Sequence, residues 1–160
     1  MNNFLDAVGE TPISQTLQTV AWLIPTIQSI HILALALVFT SAAVVDLRIL
    51  GVAGRGQQLE RMTARFLPWV GWGVLALAAT GLLLMIAEPK RALLNPYFQI
   101  KMAALLLVGS ITWAIAALAA GKTPHWDAVR RFGADKPIAI LSLALWVGIV
   151  VLGRWIAYGP

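Results

Sequence analysis

The chain has 160 residues, of which 59% are hydrophobic and only 12% charged, with a formal net charge of +5 and a mean hydropathy of +0.80. Soluble domains carry about a quarter charged residues, so this composition excludes an ordinary water-soluble fold and points to an integral membrane protein. The lack of cysteine removes disulfides, iron–sulfur clusters, thiolate metal sites and covalent c-type haem attachment.

Residues 1–18 lack the basic start of a cleaved signal and carry Asp6 and Glu10 ahead of the apolar run, which predicts a short, partly helical arm on the membrane surface. Thr11-Pro12 or Ser14 offers a side-chain oxygen suited to opening the first span. Four long apolar stretches follow, at about 17–49, 66–87, 96–120 and 137–158. Each covers the ~20 residues a spanning helix needs, and the period-two alternation of a membrane barrel is missing. The expected fold is all-α, a polytopic bundle of four transmembrane helices forming one domain over 1–160.

Span 1 carries the residue that stands out most, His31. It lies nine residues after Trp22, and a rise of ~1.5 Å per residue puts it ~13 Å below that interfacial aromatic, near the midplane of a ~30 Å hydrocarbon layer. An ionisable ring at that depth is a functional candidate. Pro25 falls inside the same stretch and predicts a kink just above His31. At the other end stands Asp46-Leu47-Arg48. Its carboxylate is expected to clamp the adjoining loop by pairing with Arg61 or Arg65, or else to serve in a proton path. Residues 51–65, with Leu50, Leu59, Met62 and Phe66 among Gln and Arg, read as a short interfacial connection.

Small residues mark packing faces: Gly71, Gly73, Ala76 and Thr80 on span 2, Gly109 and Ser110 on span 3, Ser142 and Gly148 on span 4. Lys101 sits about one turn inside the start of span 3 and Arg154 at a similar level near the end of span 4, beside Trp155. Lone cations there snorkel to headgroups, but two of them on the side of a buried histidine make an anion-binding mouth. His125, beside Trp126 in the loop before span 4, reads as an interfacial anchor.

The arginines and lysines set the orientation. Arg48, Arg55, Arg61, Arg65, Lys122, Arg130, Arg131 and Lys136 fall on one side, and Lys90, Arg91, Lys101 and Arg154 on the other. This asymmetry puts both termini outside the cytoplasm of a bacterial inner membrane. The pI of about 10.3 then reflects topology and not nucleic-acid binding.

A haem b fits the vertical arrangement, with His31 on the iron and propionates held by Lys101 and Arg154. Its sixth ligand is left open: absent, supplied by Met85, Met102 or Gln28, or contributed by another subunit. Met85 and Met102 with His31 also suit Cu(I), the alternative cofactor.

The pattern Trp22…Pro25…His31, Asp46-Leu47-Arg48-Ile49-Leu50-Gly51, Glu88-Pro89, Asn95-Pro96 with Phe98-Gln99-Ile100-Lys101, Ser142…Trp146 and Gly153-Arg154-Trp155-Ile156-Ala157-Tyr158 resembles a bacterial family of small four-span membrane proteins without a known function. More remotely, a span-1 histidine with a span-3 lysine is similar to the CopD-type copper-resistance membrane domain and the HemJ-type protoporphyrinogen oxidase, a likeness that implies haem association. Three readings are expected to compete. One is a haem b protein passing electrons between a quinol and a periplasmic redox partner. The others are a copper-handling membrane protein, and a cofactor-free accessory subunit working as a homo-oligomer or in a larger membrane complex.

Overall fold

The computed structural model describes residues 2–54, 56, 59–119 and 133–156. Its described elements are all helical: α1 (Asn2–Gly9), α2 (Pro12–Thr19), α3 (Leu23–Ile49), α4 (Leu59–Ala87), α5 (Pro89–Leu93), α6 (Pro96–Ala119) and α7 (Asp135–Trp155). Four of them, α3, α4, α6 and α7, are long and apolar enough to cross a membrane. The all-α, four-span expectation therefore holds.

The first span is shorter than the apolar run suggests because the chain breaks at residues 20–22. Thr11 caps α2 with its hydroxyl, accepting from Ser14 N at 3.3 Å, and Pro12 occupies the first turn. The cap expected for the first span thus opens a separate arm helix. That arm folds onto the corner between α4 and α5. Ser14, fully buried, and Gln18 both donate to Ala87 O, at 3.4 and 2.8 Å, and Asp6 pairs with Lys90.

Because α3 starts at Leu23, Pro25 lies in its first turn, where the missing N–H has no intrahelical partner to lose. The kink expected above His31 has no cause there. Proline enters a helix interior instead at Pro68 of α4, removing the bond that would reach Ala64 O. At its far end α3 is stopped by Gly51, whose φ of 74° only glycine adopts without strain. Val52 N donates to Leu47 O at 3.0 Å and Gly51 N to Arg48 O at 3.1 Å. Those two bonds form a Schellman motif. It ends the helix about one turn beyond Asp46.

The long helices pack as two pairs, α3 on α4 and α6 on α7, joined chiefly where α3 meets α7, while α4 and α6 touch only slightly. The apolar centre holds Ala34, Val38, Ala42, Leu77, Val108, Trp146 and Ile149. Gly73 makes the α3–α4 approach close, since any Cβ there would clash with Val38 Cγ2. Gly71, Gly109 and Gly148 face open space. Between 17% and 28% of each spanning window is buried, so most of the surface is left for lipid or for other helices.

Candidate functional site

The bundle carries polar side chains at two levels, one on each side of the apolar centre. On the side of the N-terminal arm, His31 of α3 meets Thr80 of α4, with Nδ1 and Oγ1 2.7 Å apart. Thr80 Oγ1 has one proton and donates it to Ala76 O at 2.6 Å. His31 Nδ1–H must therefore be the donor to Thr80, which assigns the ring tautomer from the network. Gly81 leaves room for the ring, 3.5 Å from His31 Cε1 to where its Cβ would be. Lys101 of α6 approaches from the opposite pair, close enough for its charge to act on His31. Its Nζ would lie 3.7 Å from a Cβ on Gly153 of α7.

The other residues expected at this level differ in exposure. Arg154 and Met102 are exposed, Gln28 is exposed on α3, and Met85 is half-buried on α4. Among the described residues no three His, Cys, Asp or Glu side chains gather into a group able to hold a metal ion. The expected haem b and copper are corrected accordingly. His31 is one imidazole hydrogen-bonded to a threonine and belongs to no such group. His125 lies outside the described residues.

The second level, near the α3–α4 connection, is less satisfied. Asp46 is 2% exposed, and its Oδ2 has no hydrogen-bond partner among the described residues. The same holds for Thr112 Oγ1 of α6 and for Ser142 Oγ and Trp146 Nε1 of α7. Ser142 stands near enough to Asp46 for a polar interaction, though outside hydrogen-bond geometry. Asp46 and Thr112 also line a cavity between α4 and α6, floored by α3, with Ser41 and Thr63 adding hydroxyls to its wall. The space open to a water centre there is about 20 Å³, room for one water.

The expected clamp between Asp46 and Arg61 or Arg65 does not form. Among the described residues the ion pairs are Lys90–Asp6 and Arg91–Glu88. The reason is register: Met62 and Thr63 turn inward at 5% and 6% exposure, which rotates Arg61 and Arg65 to the exposed face. Asp46 was legible from sequence as an intramembrane acid. That neither Arg61 nor Arg65 would pair with it was not.

The model of a family of unknown function, DUF6644, matches residues 11–159 of the chain. No curated protein and no solved structure matches it.

Proposed function

We propose, from the premise that the chain belongs to the DUF6644 family of unknown function, that it is a cofactor-free membrane protein that takes up and releases a proton at Asp46. The observation that carries this is the buried Asp46 Oδ2, without a hydrogen-bond partner among the described residues, on a side chain that lines a one-water cavity. A carboxylate so placed costs several kcal/mol while charged unless something satisfies it. It can take a proton, a cation or a water. Divalent cations want six or more oxygens and usually several carboxylates, whereas this wall offers one carboxylate and a few hydroxyls in a space for one water. A proton, relayed by that water and the Thr112 hydroxyl, needs no more than is present.

The groups packed around Asp46 leave it as the sole titratable side chain among the described residues of the cavity wall. Its α3 neighbour Arg48 lies two residues on, off its face, α4 presents Thr63 and Phe66, α6 presents Thr112, and α7 presents Ser142. The apolar centre separates Asp46 from His31 and Lys101, which favours exchange with one side only. By the distribution of Arg and Lys that side is the cytoplasm of a bacterial inner membrane, with both termini outside. The CopD-type and HemJ-type likeness contributes no more than a histidine on the first span and a lysine on the third.

A second reading concerns assembly. Gly71, Gly109 and Gly148 present bare backbone to the outside of three spans, which favours close contact with further helices in a homo-oligomer or a larger membrane complex. Infrared difference spectroscopy on a pH step tests the main reading. Beside the bands of the six other acidic side chains and the C-terminus, the purified chain is expected to show a protonated-carboxyl C=O component that appears with acid and is lost in Asp46→Asn when the wild type and the variant are compared. Identical acid-induced carboxyl bands in the wild type and Asp46→Asn refute proton binding at Asp46.

A further inference from the structure

We propose that Lys101 is the core of a binding site for the oxyanion headgroup of an acyl-chain amphiphile, a lipid phosphate or a fatty carboxylate, seated where α6 meets α7. Lys101 lies one turn and a half inside α6 and is half-buried. Its ammonium lies by the backbone of Gly153, at a position where α7 has no side chain to displace it. Such an ammonium needs an acceptor.

The described residues do not supply a carboxylate. Among the described residues no acidic group lies within ion-pair distance of Lys101, because Asp6 is taken by Lys90 and Glu88 by Arg91. His31 across the bundle is neutral or cationic and so brings no negative charge to Lys101. An oxyanion is therefore the partner that the local charge lacks.

The surroundings suit a headgroup with a chain attached. Tyr97, one turn before Lys101, meets Trp155 of α7 edge to face with ring centroids 5.9 Å apart. Aromatic pairs of this kind sit at the headgroup level of a bilayer. Toward the membrane interior α7 exposes Val150 and Val151, a surface for methylene groups. A free inorganic anion has no use for that surface.

The site stands apart from Asp46, so the two proposals fail independently. The full chain is placed in phosphatidylcholine nanodiscs doped with phosphatidylglycerol in one arm and oleate in the other, then released and read by native mass spectrometry. Retention of either dopant in preference to phosphatidylcholine is expected, and the arm that shows it identifies the headgroup. Lys101→Met should lower that retention about tenfold while Lys101→Arg keeps it. Gly153→Leu, which pushes Lys101 off α7 without removing its charge, should lower it too. Equal retention of charged and zwitterionic lipid by the wild type overturns the proposal without recourse to any variant. Unchanged retention in Lys101→Met or Gly153→Leu overturns it as well, leaving Lys101 as a residue that only snorkels. The Asp46 infrared band is expected to survive in all three variants.

Discussion

The two polar levels of this bundle use similar side chains and differ in how those side chains are satisfied. At the His31 level a chain of hydrogen bonds runs from imidazole to Thr80 and on to the Ala76 carbonyl, so the ring is held between helices as a fastener. At the Asp46 level the carboxylate Oδ2 and the hydroxyls of Thr112 and Ser142 are buried without a hydrogen-bond partner among the described residues. Buried polar atoms are nearly always paired, so each exception calls for an explanation. The contrast teaches that a rare residue type at membrane depth is a weaker guide to chemistry than an unmet hydrogen-bonding demand.

The largest expected effect that would break this contrast is at Asp46. Replacing it by Leu removes the unmet carboxylate, and the small cavity beside it accepts the added methyl groups. Asp46→Leu is expected to stabilise the bundle by about 1–3 kcal/mol while abolishing proton uptake, checked by thermal or denaturant unfolding in micelles together with the infrared assay. A destabilised Asp46→Leu would mean that the carboxylate is satisfied after all.

A smaller effect sharpens the other side. His31→Leu and Thr80→Val should each destabilise, and a double-mutant cycle between them should give a coupling of about 0.6 to 1.7 kcal/mol, the range for helix-to-helix hydrogen bonds in membranes. Zero coupling would remove the fastener role. The smallest effect belongs to the loop-side cations. Arg61→Ala and Arg65→Ala should leave both stability, within about 0.5 kcal/mol, and the Asp46 band unchanged, since neither arginine reaches the carboxylate. A shifted band in either variant would restore the clamp.

Much of the fold could be read from residue order alone, because hydrocarbon admits few architectures: an apolar run of some twenty residues must be a helix. The errors in that reading are local. Pro25 looked like an interior kink because the apolar run extends N-terminal of it, yet the helix begins only at Leu23. The cap at Thr11 was recognisable by its chemistry, but not that it belongs to a separate helix docked on Ala87 through Ser14 and Gln18. Among the glycines, composition could not separate Gly73, which packs against Val38, from Gly71, which faces open space. A shift of two positions on a helix turns a side chain by about 200°.

For the site, the sequence by itself determined that His31, Asp46 and Lys101 are ionisable groups within spanning helices, and that no thiolate chemistry is available. Only the tertiary structure decided which of them is satisfied. Spacing along one helix defines the face a residue occupies on that helix. Whether a partner waits opposite depends on the rotation of the neighbouring helix, and here α4 presents Thr80 to His31 while turning Arg61 and Arg65 away from Asp46.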